Sequence, residues 1–496
     1  MNKSVETRTK LGVAWSAATT TIGQVLSFIM GIILARLLLP EDFGVLAAII
    51  IFIDLGSSLV SSGLVSALIQ RSSIRNEHYS TAFWVHLFLG VTTCLVLVAI
   101  APHVGEFFHN VVVGEVLAVM AIYMLLLPFI SIPTAILRKR IDFRSLGIAN
   151  LIQQLINGAV SIGFAFWGWG VWSLVYGRLS GYCVNSLYLY LLVRWQPQLR
   201  ISKQALKELL PFSLKVTAAN ILNDIAQNIA FVLVGRFIGA AQLGFYHRAY
   251  DLMTFPLTRI TTSMDTVLYS AFSEVQDDRK VLKKALLKST SYVLIICAPL
   301  LIGLFWVAPA FVYNIYGENW MGVVPPLQIM CFAGLLLAVE PLAVSLITAM
   351  GHIGFEVQRQ VIYVCVMVIG GSIGSFWGIV GVAYSMLVAA VIFLILLRRL
   401  LGKFIQLSWH EYASIFVPVG IGSGIMSLVL WLYDLATRSF FSPYSVIILL
   451  TSIAMGGVTY VTYILVFASK SHNPTTKEVV QEIKQYGLAA YHMMIR

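Results

Sequence analysis

Charge is scarce in this sequence. Asp, Glu, Lys and Arg together make up 11% of the 496 residues, whereas hydrophobic residues make up 59%. Ordinary globular domains carry about 25% charged residues. The composition therefore excludes a string of soluble domains and indicates a membrane protein. Basic residues outnumber acidic ones by 33 to 22, which is typical of nucleic-acid-binding proteins but also of membrane proteins with basic cytoplasmic loops.

Motifs for ATP hydrolysis and for metal binding are lacking. No G-x-x-x-x-G-K-[ST] phosphate loop occurs, and the polar stretches 195–210, 273–285 and that after 469 are too short to fold as a catalytic domain. The five cysteines lie in apolar segments at separations that match no zinc or haem pattern. The first apolar segment is longer than the core of a cleavable signal peptide. We expect neither an enzyme, nor a bound metal or cofactor, nor a nucleic-acid partner.

Apolar stretches of the length needed to cross a bilayer, about 20 residues, occur fourteen times along the chain. Most of the basic residues, Arg359 among them, fall in every second connection, which predicts that those connections and both termini are cytoplasmic. This placement explains the net positive charge without nucleic acid. The sequence thus predicts an all-α, polytopic membrane protein with about 14 transmembrane helices.

An internal repeat is visible when the chain is shifted by about 200 residues. The shift places Arg36 on Arg236, near the ends of the first and seventh spans, and Gly44 on Gly244, just after the short turns that follow them. Six spans per repeat predict two parallel six-helix lobes around a central cavity, plus two C-terminal helices. The predicted limits are 1–193 for the N-terminal lobe, 194–210 for a cytoplasmic linker, 211–401 for the C-terminal lobe, 402–468 for the two added helices and 469–496 for a cytoplasmic tail.

Both helices that open the repeats carry one polar face. The first carries Ser16, Thr20, Gln24 and Ser27 at four- and three-residue steps, and the seventh carries Asn220, Asp224 and either Gln227 or Asn228 at similar steps. Polar stripes are unfavourable against lipid, so these faces are predicted to line the bundle interior or a water-filled cavity. Interhelical hydrogen bonding that only holds the bundle together is the alternative.

Ionisable residues within the spans are the candidate functional groups, because each costs about 2.5 to 3.5 kcal/mol at the bilayer centre. The basic ones are Arg36, Arg178, Lys215, Arg236, Arg248 and Arg259. The acidic ones are Asp54, Asp224, Asp251, Asp265 and Glu340. The basic excess predicts a cavity that binds an anion, with the acidic groups as charge partners or as sites of coupling to a proton or sodium gradient. Snorkelling to the interface is the alternative for Arg36, Lys215 and Arg236.

Several short motifs also resemble a known family. They are Trp15-Ser16-Ala17, Ala35-Arg36, Phe43-Gly44, Ala67 to Arg71, Gln276-Asp277-Asp278, Tyr316 to Trp320 and Pro326-Leu327-Gln328. The run is similar to bacterial polysaccharide exporters of the colanic acid exporter type, in the multidrug/oligosaccharidyl-lipid/polysaccharide flippase superfamily. The motifs mark loops and helix ends, so no substrate contact is transferred.

This resemblance implies a transporter of the bacterial cytoplasmic (inner) membrane that works by alternating access. Its substrate would be an undecaprenyl-pyrophosphate-linked oligosaccharide, flipped to the outer leaflet for lipopolysaccharide or exopolysaccharide synthesis. A polysaccharide polymerase and glycosyltransferases of the same pathway would be partners. The alternative is an ion-coupled multidrug antiporter of the same superfamily, which should favour acidic over basic cavity residues.

Overall fold

The structure is a computed structural model that describes residues 3–71, 74–274, 278–350, 353–437 and 444–466, together with 439, 442, 475, 477–482 and 485. Helices dominate, and no strand occurs among these residues, which confirms the predicted all-α class. Eleven helical stretches are long and apolar enough to cross a membrane, counted over the same residues. One of them, 357–405, is 49 residues long, more than twice the length of about 20 residues that one crossing needs. The count of fourteen spans stays a prediction.

The chain forms two compact units, residues 1–244 and 245–496. The helices of the first unit are α1 (Lys3–Leu37), α2 (Pro40–Ser57), α3 (Gly63–Gln70), α4 (Asn76–Phe107), α5 (Val111–Met120), α6 (Tyr123–Lys139), α7 (Phe143–Phe166), α8 (Val171–Val193) and α9 (Lys203–Phe237). Helix α10 (Ala240–Glu274) begins in the first unit and continues in the second. The second unit adds α11 (Arg279–Ile315), α12 (Val324–Leu337), α13 (Glu340–Ala349), α14 (Ile353–Gly374), α15 (Gly378–Ile405), α16 (Trp409–Thr437) and α17 (Val446–Val466). The lobe limits drawn from the sequence repeat stay predictions.

The helix bounds follow the predicted repeat. Helices α1 and α9 are both 35 residues long, and they begin at Lys3 and Lys203. In each half the fourth span is interrupted, between α5 and α6 at residues 121–122 and between α12 and α13 at residues 338–339. Pro341 at the start of α13 accounts for the second break, because proline lacks the N–H that would continue the helix.

Polar residues cap the helices that begin outside the apolar segments. The Asp142 carboxylate accepts from the Ser145 N–H at 3.1 Å before α7, and the Ser202 hydroxyl accepts from the Ala205 N–H at 3.2 Å before α9. The Asp278 carboxylate accepts from the N–H groups of Lys280 and Val281 before α11. These bonds satisfy N–H groups that a helix leaves unpaired at its start, and they explain why the helices begin where they do.

Two glycines at matching repeat positions allow a close helix crossing in the first unit. A Cβ atom at Gly44 of α2 would lie 1.7 Å from the carbonyl oxygen of Ala240. A Cβ atom at Gly244, in the first turn of α10, would lie 1.9 Å from the carbonyl oxygen of Pro40. No side chain fits at either position, so the backbones meet directly, as in small-residue contacts between membrane helices.

Candidate functional site

A cluster of four polar side chains joins α2 to α9 inside the first unit. The Asn228 amide nitrogen donates to Asp54 Oδ2 at 3.2 Å and to the Asp224 carbonyl oxygen at 2.9 Å. The Ser58 hydroxyl donates to Asp224 Oδ2 at 2.6 Å. We call Asp54, Ser58, Asp224 and Asn228 the α2–α9 polar cluster. Two of the predicted acidic groups and one of the predicted polar residues of α9 are thus brought together.

The backbone of α2 changes where the cluster forms. Residues Ser58–Ser62 make one π-helical turn between α2 and α3, and such turns are often found at functional sites. Just after it, a Cβ atom at Gly63 would lie 2.2 Å from the Ser213 carbonyl oxygen of α9. The missing side chain lets α9 approach α3 closely. Ser58 and Asp54, one turn apart, then both reach side chains of α9.

The hydrogen-bond donors of the cluster are more deeply buried than its acceptors. Asn228 and Ser58 are only 6% and 8% exposed, whereas Asp54 and Asp224 are half-buried. Neither carboxylate has a Lys or Arg nitrogen within 4.0 Å among the residues that the structure describes. The two acidic groups are therefore held by neutral donors, and they stay reachable for a proton, a cation or a basic side chain.

Arg178 of α8 is the basic residue associated with this cluster. Helix α8 packs against α2, and the Arg178 guanidinium interacts electrostatically with Asp54. Arg178 is half-buried, and it makes no hydrogen bond or ion pair with any described residue. Its five N–H donors are thus available to a ligand.

Two tyrosines lie beside these groups. The rings of Tyr123, the first residue of α6, and Tyr182 of α8 are stacked with centroids 4.1 Å apart. Tyr182 lies one helical turn after Arg178 on α8, and Tyr123 opens α6, which packs against α2, the helix of Asp54. The Arg178 guanidinium and a stacked aromatic pair therefore occur in the same part of the first unit. The two tyrosines are not among the candidates predicted from the sequence.

The polar face of α1 makes few contacts. Thr20 is exposed and Gln24 is half-buried, while the Ser27 hydroxyl donates to Gln154 Oε1 of α7 at 3.2 Å. On α9, Asn220 is half-buried. The open side of this face fits a water-filled cavity, whereas the Ser27 contact fits the alternative of interhelical hydrogen bonding.

Three basic candidates lie elsewhere in the first unit. Arg36, in the last turn of α1, and Lys215 of α9 are exposed. Arg236, near the end of α9, donates to the Phe107 carbonyl oxygen at 2.7 Å, contacts His109, and stacks 5.1 Å from the Phe107 ring centroid. Arg236 thus joins α9 to the connection between α4 and α5. A substrate contact for any of the three stays a prediction.

In the second unit, Arg248 is enclosed by an acidic group and two aromatic rings. Its Nη1 lies 3.7 Å from Asp251 Oδ2, and its guanidinium carbon lies 5.3 Å and 5.6 Å from the ring centroids of Tyr316 and Trp320. His247 Nδ1 lies 3.4 Å from the same carboxylate oxygen. Arg248 is 13% exposed and Asp251 is 44% exposed, so the carboxylate is the more accessible partner.

Glu340 is paired with an arginine that the sequence analysis counted with the cytoplasmic connections. Arg359 Nη2 lies 3.0 Å from Glu340 Oε1, and the guanidinium carbon lies 3.5 Å from the Phe393 ring centroid. The Arg359 side chain is 2% exposed. Arg359 could have been recognised in the sequence from its position inside an apolar run, as the seventh residue of α14.

Two candidates cannot be placed in this way. The side chains of Arg259 and Asp265 lie outside the part of the chain whose side chains the structure describes. No group of three or more His, Cys, Asp or Glu residues that could hold a metal ion occurs among the described residues.

Comparisons with known proteins agree with this architecture. The chain is 27% identical to the lipopolysaccharide biosynthesis protein WzxC of Escherichia coli (strain K12), over 84% of this chain and 85% of that protein. It is 25% identical to the succinoglycan biosynthesis transport protein ExoT of Rhizobium meliloti (strain 1021), over 65% of each chain. Among solved structures, the inward closed conformation of the lipid II flippase MurJ superposes with a TM-score of 0.77 at 14% identity, over 92% of this chain and 99% of that one. The chain thus shares the MurJ fold.

The sequence profile described as "Polysaccharide biosynthesis protein" matches residues 33–325, which is more than half of the chain. The match covers the α2–α9 polar cluster, Arg178 and Arg248. The chain belongs to the polysaccharide biosynthesis protein family.

Proposed function

We propose that this protein flips undecaprenyl-pyrophosphate-linked oligosaccharide repeat units from the inner to the outer leaflet of a bacterial cytoplasmic membrane, with both termini in the cytoplasm. The repeat units supply a cell-surface polysaccharide, and the polymerase and glycosyltransferases of that pathway are the partners. The names of the similar proteins support this substrate class, since they include biosynthesis and transport of lipopolysaccharide and succinoglycan. The observation that carries the proposal is Arg178, a half-buried arginine without an ion-pair partner among the described residues.

The headgroup of such a substrate determines which side chains the protein must provide to bind it. A diphosphate cannot cross hydrocarbon unaided, and the planar guanidinium fork of arginine suits phosphate oxygens. The Arg178 guanidinium can donate hydrogen bonds to phosphate oxygens without first breaking an ion pair with a described carboxylate. The stacked rings of Tyr123 and Tyr182 offer apolar faces and hydroxyl groups to the sugars next to the diphosphate.

The acidic groups of the α2–α9 polar cluster supply the coupling. When the cavity is empty, Asp54 balances the charge of Arg178. When the diphosphate binds, that balance changes, and a proton or sodium ion at Asp54 or Asp224 restores it. Transport then proceeds by alternating access of the two lobes, with the polyprenyl chain remaining in lipid.

The experiment is reconstitution in liposomes with a fluorescent undecaprenyl-pyrophosphate oligosaccharide, in which leaflet exchange is measured. We expect exchange for the unmodified protein and its loss when Arg178→Ala is combined with Arg259→Ala. Arg138→Ala is the matched control, because it removes the same charge from an exposed site in the last turn of α6. Exchange that persists in the double variant contradicts the proposal.

The two carboxylates of the α2–α9 polar cluster favour one other function, an ion-coupled multidrug antiporter. A cation would bind Asp54 and Asp224 directly, and Arg178 would hinder it. Absence of leaflet exchange together with proton-driven uptake of organic cations would establish this function instead.

A further inference from the structure

A short helix after the last apolar span lies on α11 in the second unit. Residues 477–482 are helical. Glu478 lies 3.2 Å from the Lys284 ammonium and 3.3 Å from that of Lys288. Glu482 lies 2.6 Å from Lys288 and accepts a hydrogen bond from the Tyr292 hydroxyl. The sequence analysis treated this region only as a cytoplasmic tail, so its docking on α11 is a new feature.

The contact joins two matching stripes. Lys284, Lys288 and Tyr292 follow one another at four-residue steps, so they share one face of α11; we call them the α11 stripe. Glu478 and Glu482 have the same spacing on the helix 477–482. Apolar burial strengthens the docking, because Val479 and Val480 on this helix are 0% exposed.

Among the described residues, the lysines of the α11 stripe form ion pairs with the tail and not with the rest of the second unit. The neighbouring Lys283 lies 2.5 Å from Glu411 at the start of α16. By contrast, the acidic groups within 4.0 Å of Lys284 and Lys288, among the described residues, are the two tail glutamates alone. Without the tail, no described carboxylate would lie within 4.0 Å of the Lys284 or Lys288 ammonium group.

The position of the α11 stripe determines what else could bind there. The stripe lies in the first turns of α11 at the end predicted to be cytoplasmic, where basic side chains meet the anionic headgroups of the inner leaflet. Two ammonium groups and a hydroxyl are donors suited to phosphate oxygens. The Lys284 and Lys288 ammonium groups lower the pKa of the Glu478 carboxyl, and Lys288 and Tyr292 lower that of Glu482. The tail therefore presents full negative charge to the stripe, as a phosphate would.

We propose that the α11 stripe binds the phosphate of a lipid headgroup in the cytoplasmic leaflet, and that the helix 477–482 occupies the same site as an internal competitor. The phosphate comes either from a glycerophospholipid or from the polyprenyl diphosphate of the substrate, and in the second case the inference rests on the proposed function. Helix α11 packs against α12, α15, α16 and α17. Exchange of tail for lipid thus takes place on a helix that most of the second unit contacts.

Displacement of the tail can be measured directly on the full chain. Spin labels at Arg279→Cys and Gln485→Cys, with Cys183 and Cys365 changed to Ser, report the distance between α11 and the tail. The protein is placed in nanodiscs of phosphatidylcholine alone, with added phosphatidylglycerol, or with added undecaprenyl pyrophosphate. We expect a short distance in phosphatidylcholine and a longer one when phosphate-bearing lipid is added.

The two lipids distinguish the source of the phosphate. Release by both indicates a general anionic-lipid site, and release by undecaprenyl pyrophosphate alone indicates a substrate-capture site. A distance that neither lipid changes overturns the proposal. The phosphatidylglycerol arm needs no substrate, and leaflet exchange is measured separately, so failure here is distinguishable from failure of the proposed function.

Variants test the competition itself. A tail docked for about nine-tenths of the time lowers the apparent affinity about tenfold, so Glu478→Gln with Glu482→Gln is expected to raise lipid binding about tenfold. Adding Lys284→Gln and Lys288→Gln should remove this gain. The control changes two exposed glutamates of the first unit, Glu106→Gln and Glu115→Gln, and should leave binding unchanged. Unchanged or weaker binding in the tail variant, or a gain that survives loss of the lysines, refutes the competition.

Discussion

The Asn228 amide connects the two aspartates of the α2–α9 polar cluster, and its removal tests whether that cluster stabilises the first unit. Its nitrogen donates to Asp54 Oδ2 at 3.2 Å and to the Asp224 carbonyl at 2.9 Å. Asn228→Leu keeps a side chain of similar size at a position that is 6% exposed and removes both donors. The Asp54 carboxylate then loses its partner on α9.

Two measured ranges bound the expected effect. A hydrogen bond to a charged group contributes about 1.5 to 3 kcal/mol in soluble proteins, whereas interhelical side-chain bonds in a membrane protein average about 0.6 and reach about 1.7 kcal/mol. The Asp54 acceptor is charged, which favours the upper end, but it is half-buried and 3.2 Å is a long contact. We therefore expect an interaction energy of about 1 to 1.7 kcal/mol, which is about five- to twentyfold in the unfolding equilibrium.

The assay is a double-mutant cycle of Asn228→Leu and Asp54→Leu, with unfolding by sodium dodecyl sulfate in mixed micelles. The cycle isolates the pairwise energy from the separate cost of each change. As a control, Asn150→Leu changes an exposed asparagine of α7 and should combine additively with Asp54→Leu. An interaction energy below about 0.3 kcal/mol, within the range of additive pairs, would refute the reasoning that the amide holds Asp54.

Three further perturbations have clear expected outcomes. Gly44→Ala should abolish the folded protein, measured as monodisperse yield in detergent, because its Cβ would lie 1.7 Å from a carbonyl oxygen, whereas Gly163→Ala, with nothing within 4 Å, should not. Arg359→Leu should lower the free energy of unfolding by about 1 to 3 kcal/mol, because it removes the arginine that lies 3.0 Å from the partly exposed Glu340 carboxylate, and adding Glu340→Leu should restore part of the loss; equal melting of the single and double variants would contradict this pairing. Docking of the helix 477–482 lowers the pKa of both its glutamates below the ordinary glutamate pKa of 4.5. Docking should therefore be complete above pH 4.5 and should weaken as the pH falls below it. The spin-label distance should lengthen only on acidification below pH 4.5.

The sequence was sufficient to find the deep ionisable groups of the first unit but not their partners. Asp54, Asp224 and Asn228 stand out because polar side chains in apolar spans are costly. Ser58 does not, since a single serine in a membrane helix is ordinary. Its contact with Asp224 depends on the π-helical turn after α2 and on the close approach of α9 at Gly63. Neither feature follows from hydrophobic periodicity, which assumes regular helices.

Arg359 was missed for a different physical reason. The rule that basic residues mark cytoplasmic connections assigned it to the short connection before α14. That rule describes averages over loops, and it cannot distinguish a loop arginine from one that is buried and paired a turn or two inside the helix. The acidic partner was visible as Glu340, but the pairing across helices α13 and α14 required the fold.

The two units differ in how their arginines are paired. In the second unit, Arg248 and Arg359 each lie against aromatic rings and within 3.7 Å and 3.0 Å of a carboxylate. An anion that binds either arginine must displace the carboxylate, a cost that an arginine without an ion-pair partner does not carry. Arg178 has no such competitor within 4.0 Å among the described residues. An anionic headgroup should therefore bind first in the unit that contains Arg178, and Arg178→Ala should reduce substrate binding more than Arg248→Ala.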